Sequence, residues 1–234
     1  MASAISDDGM VYLLLGERAA VCLYADTPHR YGFLDFPYAV PEDADALLKA
    51  VLSALIGLRV ECPLPSERVW EAEALLRHGF QVGRTQRRMV RDDLNAVAAS
   101  ILPAGTKRID PSPDELEALH NLVFTGHSKP AGWRTDPDHL PPLGLNLGGQ
   151  LAGYALSAHH GGLFWLSELA VHPDFRRQGL GRALTRLTLA QLRGAGASQV
   201  HLYVNDDHGQ HAPRLYEGAG FKTHRLTLRY VKEN

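Results

Sequence analysis

The spacing of apolar residues changes period along the chain, and the changes mark the elements. In "SPDELEALHNLVFTG" (Ser112 to Gly126) a Ser-Pro start leads an apolar stripe of Leu116, Leu119 and Val123, which predicts a helix. The next stretch, "HSKPAGWRTDPDHLPP", is too rich in Pro, Gly and Asp for regular structure and reads as a long loop. "LGLNLGGQLAGYALSA" predicts two strands around a Gly-Gly turn, and "GLFWLSELAV" a third. Leu180, Ala183, Leu184, Leu187 and Ala190 then recur at helical spacing. "SQVHLYV" reads as a strand, "APRLYEGAGF" as a short helix stopped by Gly, and "KTHRLTLRYV" as a last strand. The pattern is that of an α/β fold with a mixed central sheet flanked by helices.

The first part of the chain repeats this layout. "LLLGERAAVCLYADT" and "YGFLDFPYAVP" align with "LNLGGQLAGYALSAH" and "LFWLSELAVHP" at a constant shift of 132 residues, Pro41 falling on Pro173. "LLRHGFQVGRTQRRMVR" aligns with "YEGAGFKTHRLTLRYVK" at a shift of 141, Arg84 on Arg225 and Arg88 on Arg229. Two consistent registers favour an internal duplication over chance likeness. The expected organisation is a degenerate first copy over residues 1–95 and a full second copy over 96–234. Strands are predicted near 11–15, 18–25, 31–40, 58–62 and 81–91, and helices near 42–56 and 67–77. The chain starts too late in the pattern for a whole first copy, which is either incomplete or borrows elements across 93–112.

Between the shifts the first copy is about nine residues shorter, and the missing stretch lies opposite "FRRQGLG". That loop, between a strand and a helix, is built as an anion cradle. Gly179 and Gly181 let backbone N–H groups approach a ligand. The helix N-terminus adds unpaired donors, and Arg176, Arg177 and Arg182 add charge-assisted ones. The ligand expected is a phosphate or pyrophosphate. No G-K-[ST] follows, so this is not a P-loop, and the dinucleotide fingerprint is absent.

Bulk properties narrow the partners. The 234 residues carry 24 Lys plus Arg against 26 Asp plus Glu, a balance with no general pull toward nucleic acid or anionic membrane. The start "MASAISDDGM" lacks a basic flank and a long apolar core, and "ALLKAVLSALIGL" is too short to span a bilayer. Two cysteines, Cys22 and Cys62, imply no disulfide framework, so a cytoplasmic location is expected. The adjacent His159 and His160 point apart on a strand and make a poor chelate. His208 and His211, near Asp206 and Asp207, lack a distant third ligand, so no metal is expected.

The run "LAVHPDFRRQGLGRAL" resembles the acetyl-CoA-binding motif of the GNAT superfamily of N-acetyltransferases, [R/Q]-x-x-G-x-[G/A] after a strand ending V-x-P. Arg176, Gly179 and Gly181 match it, with Val171 and Pro173 ahead. A second motif of the superfamily is matched from Ala212 through Leu215-Tyr216 to Gly220-Phe221, with Gly209 where the family often has Asn; Asn205 is a possible substitute. The two-copy layout is also similar to tandem members of the superfamily.

What the resemblance implies is direct acetyl transfer from acetyl-CoA to an amine, with no Ser or Cys nucleophile. The pantetheine and thioester would lie along the backbone of Leu169, Ala170 and Val171, and the pyrophosphate in Arg176, Arg177, Gln178, Gly179, Leu180, Gly181 and Arg182. Tyr216 is the expected general acid toward the departing thiolate, against a packing role as the alternative; its counterpart in the first copy, Leu75, has no proton to give. Glu168 is the candidate base, the alternative being contact with a cationic substrate. The acceptor, a small-molecule or peptide amine, is expected against the loop holding Trp133, Asp136 and Asp138. In the first copy Glu42, Asp43 and Asp45 occupy the helix start and would repel a pyrophosphate. Two other readings stand beside the enzyme: a non-catalytic CoA-binding module, and, with least support, a nucleic-acid binder. A homodimer through the surface of the first copy is also open.

Overall fold

Twelve strands and five helices form along the described chain, most of them where the apolar pattern places them. In chain order they are β1 (Ala2–Ile5), β2 (Val11–Leu15), β3 (Ala19–Asp26), β4 (Tyr31–Tyr38), α1 (Pro41–Ala54), β5 (Arg59–Pro65), α2 (Val69–Arg77) and β6 (Gln81–Arg91). There follow β7 (Lys107–Ile109), α3 (Pro113–Val123), β8 (Leu143–Leu147), β9 (Gln150–His160), β10 (Leu163–Val171), α4 (Leu180–Gly194), β11 (Val200–Asn205), α5 (His211–Glu217) and β12 (Lys222–Glu233). The computed structural model describes residues 2–5, 11–15, 19–26, 31–38, 41–95, 97, 100–124, 138–205 and 211–234.

The chain divides into two units. The first comprises Met1–Arg87, Asn205–Asp207 and Arg225–Asn234, and the second Arg88–Val204 and His208–His224. Residues 88–95 thus group with the second unit, and Asn205 and residues 225–234 with the first. Strand pairing is the reason. β12 runs antiparallel to β5, from Thr227 opposite Pro65 to Glu233 opposite Arg59.

In the first unit the strands follow the order β1-β2-β3-β4-β5-β12-β6. Strand β5 turns Val60, Cys62 and Leu64 inward, as the period of two requires. They meet Leu47, Leu48 and Val51 of α1, Ala74 and Leu75 of α2, and Tyr230 of β12. β5 extends past its expected end at residue 62 in spite of Pro63 and Pro65. Its parallel ladder to β4 stops at Phe33↔Glu61, while that to β12 continues, so a proline without an N–H loses little on the opened side.

The second unit has the order β6-β11-β10-β9-β8-β7, with the end of β6 as its outer strand. Side chains along β9 sort the two layers, the alternation being interrupted at Ala152 by the irregular register with β8. Ala152 and Ala155 pack with Leu180, Ala183 and Leu184 of α4, whereas Tyr154 and Leu156 pack with Leu116 and Leu119 of α3. Helix α3 starts on a capping box: Ser112 Oγ accepts from the Glu115 N–H at 3.3 Å, and the Glu115 carboxylate accepts from the Ser112 N–H at 2.8 Å. Arg91 of β6 donates to the Ala219 carbonyl and so ties the turn after α5 to this unit. The short strands β1 and β7 carry no periodic signal in the sequence, and pairing alone makes them strands.

Both units contain the same succession of a hairpin, a strand with an irregular register and a parallel neighbour. The ladder of β10 with β9 shifts between Leu166 and Glu168, and that of β4 with β3 shifts where Ala20↔Tyr38 gives way to Cys22↔Asp35. Strands β4 and β10 start 132 residues apart, and β6 and β12 start 141 apart, the two shifts read from the sequence.

Candidate functional site

The register shift in β10 sets the site. It inserts Ser167 between Leu166, which pairs with Ser157, and Glu168, which pairs with Leu156. Beyond it Leu169, Ala170 and Val171 pair with β9. On the other side β10 meets β11 only at Phe164↔Val200 and Trp165↔His201, so the two strands part beyond Trp165. A ligand lying between parted strands can bond backbone groups that a closed ladder would consume. Leu169, Ala170 and Val171 are the residues along that opening.

At the end of β10 the chain enters a short 3₁₀ turn, Pro173–Phe175, held by the His172 ring, which accepts from the Asp174 N–H at 3.3 Å. Arg176 Nε donates back to the Val171 carbonyl at 3.3 Å, bracing the loop against the strand. Arg177 and Gly179 both have positive φ, 66° and 85°. A non-glycine residue there is uncommon, and left-handed residues among right-handed ones turn successive N–H groups into a concavity suited to an anion. Gly179 caps α4, whose first turn has no acidic residue. Arg182 stands in that turn, so helix dipole and side chain present the same sign.

A cavity of about 290 Å³ opens here, lined among others by Leu102, Pro103, Gln178, Gly179, Arg182 and Arg186. Its mix of apolar chain and two guanidinium groups suits a ligand with both a ring and a phosphate. The 101–103 segment was not singled out in the sequence, because no local pattern says which helix it will cross. Gly181 has a different task from Gly179. A Cβ on Gly181 would stand 3.2 Å from Leu215 Cδ2, so its smallness lets α5 approach α4.

Glu168 does not stand alone. Tyr154 OH donates to its Oε1, and His120 Nδ1 lies 2.9 Å from the same oxygen and 3.0 Å from the Tyr154 hydroxyl. Tyr154 and His120 are buried, and the Glu168 side chain is 11% exposed. Neither partner was singled out in the sequence. His120 occupies an apolar position of the α3 stripe, next to Leu119, and that misplaced polarity was the available signal. Tyr154 could be found only from the strand register.

Tyr216 lies in α5 with its ring buried among Met89, Leu94, Leu166 and Leu189 and edge-on to Phe221. Burial pushes its phenol above the ordinary tyrosine value, so the group stays protonated at neutral pH. Where β10 and β11 part, the rings of Trp165 and His201 approach to 5.1 Å, with the Arg88 guanidinium 5.5 Å over Trp165. Burial, and then the Arg88 charge, lower the His201 pKa and keep that ring neutral.

Asn205 accepts from Gln86 Nε2 at 3.2 Å, both in the first unit. Asp138 lies 2.5 Å from His160 Nδ1, and His159 stacks on Phe164. Trp133, Asp136, Asp206, Asp207, His208 and Gly209 lie outside the described residues. At Pro41, which the sequence shift of 132 sets opposite Pro173, α1 opens directly with Glu42 and Asp43 in its first turn. Asp45 there bonds His78 at 3.0 Å, and mainly through that bond its carboxyl is held below the usual range. Among the described residues no group of three or more His, Cys, Asp or Glu could hold a metal ion, and no helix is long and apolar enough to cross a membrane.

Comparison with known proteins agrees with this geometry. Residues 110–221 match the model of the acetyltransferase (GNAT) family. A mycothiol acetyltransferase of Stackebrandtia nassauensis is 31% identical over 212 residues, 79% of this chain and 69% of that protein. Among solved structures, a GCN5-related N-acetyltransferase from Sphaerobacter thermophilus superimposes with a TM-score of 0.74 at 18% identity, over 94% of this chain and 82% of the other. A tandem GNAT protein from the clavulanic acid biosynthesis pathway gives 0.68 at 16% identity, over 96% of this chain and 82% of the other.

Proposed function

The chain belongs to the GNAT acetyltransferase family and is an N-acetyltransferase that uses acetyl-CoA as donor; from this premise we propose that residues 96–234 are the catalytic domain and residues 1–95 a degenerate GNAT-like copy. The observation that carries the catalytic assignment is the combination of parted strands at β10 with a left-handed, arginine-flanked loop capping α4. Arg176, Arg177, Gln178, Gly179, Leu180, Gly181 and Arg182 hold the pyrophosphate, through backbone donors at the helix start and the charge of Arg182. The thioester lies along Leu169, Ala170 and Val171, where N–H on the edge away from β9 faces the carbonyl oxygen as it gains charge.

In the step itself, the acceptor nitrogen bonds the thioester carbon and the carbon–sulfur bond breaks. Glu168 takes the proton that the nitrogen loses, and Tyr216 gives one to the departing thiolate. Burial keeps the phenol protonated at neutral pH, so a proton is in place when the thiolate forms, while the same burial makes it a weaker acid. The acceptor is a small-molecule amine. The likeness to mycothiol acetyltransferases makes mycothiol-related amines the first to test.

The degenerate-copy reading draws on the paired shifts of 132 and 141 residues, the irregular register in both β4 and β10, and Leu75 where Tyr216 has its phenol. Titration with acetyl-CoA by calorimetry, followed by an amine panel scored by release of free thiol, tests the function. Binding with turnover is expected. Binding without turnover on any amine would favour the non-catalytic module, which has the dense packing around Tyr216 in its support.

A further inference from the structure

We propose that His120 and Tyr154 are positioning residues for Glu168, so that the base of this enzyme is a three-residue constellation drawn from α3, β9 and β10. The inference rests on the reading of Glu168 as the base, and its test separates the two. Tyr154 OH and His120 Nδ1 converge on one oxygen, Glu168 Oε1, and also lie 3.0 Å from each other. With its proton on Nδ1, the imidazole donates to Oε1 beside the phenol. Two donors on one oxygen fix the plane of the carboxylate and therefore the direction in which its other oxygen points.

The surroundings make this arrangement costly unless it is used. Three polar side chains meet within an apolar layer of Leu116, Leu119, Leu156 and Ala170. Polar groups in such a layer cost stability unless bonded, and an apolar trio of equal shape would serve packing as well. Each member also stands on a rigid element. His120 is on a helix capped at Ser112, with its ring tilted against that of Phe124 at 4.9 Å. Tyr154 is fixed opposite Ala170 by the β9–β10 register. Glu168 follows immediately on the register shift, which turns it to the face occupied by α3.

The chemistry follows from the direction of the bonds. Donors aimed at one carboxylate oxygen hold the group in one orientation, which sets where its other oxygen meets the acceptor nitrogen. Among the described residues, His120 from α3 and Tyr154 from β9 bond Glu168. Removing either donor lets the carboxylate turn out of that orientation, so kcat falls while the acceptor KM changes little. It leaves the cradle at α4 intact, so acetyl-CoA binds as before.

The test uses the full chain with Tyr154→Phe, His120→Leu, His120→Asn and Glu168→Gln, each checked for folding by its melt and for acetyl-CoA affinity by calorimetry. The acceptor is whichever amine of the panel turns over. Tyr154→Phe removes one oxygen atom and keeps the ring, so it covers the case in which His120→Leu fails to fold. We expect kcat/KM to fall about 10- to 100-fold in Tyr154→Phe and His120→Leu. The loss should fall on kcat, with the acceptor KM within about twofold of wild type. His120→Asn, which keeps a donor near the Nδ1 position, should recover part of that loss. Loss of activity in Glu168→Gln, with folded Tyr154→Phe and His120 variants whose kcat matches wild type, overturns the positioning inference alone. Full activity in Glu168→Gln overturns the base assignment, and the inference with it.

Discussion

Arg229 donates to the Glu61 carboxylate at 3.1 Å, joining residues 168 positions apart within the first unit. The bond fastens the last strand of the chain onto the strand that follows the first pair of helix and hairpin. Beside it Tyr230 enters the first unit's core at 4% exposure, and Arg59 bonds Glu233 at 2.9 Å. Ending the chain at His224 should therefore damage the first unit, which the deleted residues 225–234 complete. Limited proteolysis should cut first within residues 41–80. A single Arg229→Ala change should cost about 1 kcal/mol, since the pair is partly exposed. Unchanged proteolysis and melting in the truncated chain would contradict the assignment of β12 to this unit.

The two cradle glycines should respond differently. Gly179→Val forces a branched side chain onto a φ of 85° and fills the cavity rim, so acetyl-CoA affinity should fall at least 10-fold. Gly181→Val adds a clash with Leu215, so both affinity and melting temperature should drop, whereas Gly181→Ala should be mild. Calorimetry and melts on the same preparations separate the outcomes. A folded Gly179→Val with wild-type affinity would remove this loop from the donor site.

Tyr216→Phe should keep acetyl-CoA affinity and lose about 100-fold in turnover, the scale of general acid catalysis. Removing a buried hydroxyl changes little of the packing around Met89 and Phe221, so the melt should hardly move. Full turnover would leave Tyr216 a core residue and nothing more.

One acetyl-CoA should bind per chain. The helix start of the first unit carries Glu42 and Asp43 where α4 begins with no acid, and a pyrophosphate there would meet like charge. A calorimetric stoichiometry of two, or crosslinking of a photoreactive CoA analogue at residues 41–47, would count against a degenerate first copy.

The α3 cap gives a pH prediction. Bonds from the Ser112 backbone, and next its side chain, hold the Glu115 carboxyl below its ordinary value of 4.5. A depressed carboxyl adds stability above that value and loses it as pH falls through the folded one. Glu115→Gln should therefore melt below wild type at pH 7 and converge with it in strong acid. Ser112→Ala should cost about 1 kcal/mol at neutral pH. Melts between pH 2.5 and 7 provide the check, and curves that stay parallel in acid would contradict it.

The sequence by itself determined every signal that is local. Period and turn residues located β2 to β6 and β8 to β12 to within a few positions. The glycines and arginines from Arg176 to Arg182, and the helix stripe from Leu180 to Ala190, are local patterns that read as an anion site without tertiary structure. Tertiary structure decided what depends on partners distant along the chain. No local pattern says that Thr227 to Glu233 pair with β5, because the same alternation would fit any neighbouring strand. Nor does it say that a buried histidine on α3 and a tyrosine on β9 meet the glutamate of β10 on one oxygen. That meeting depends on a register shift of one residue at Ser167, which selects the face of the sheet on which Glu168 lies.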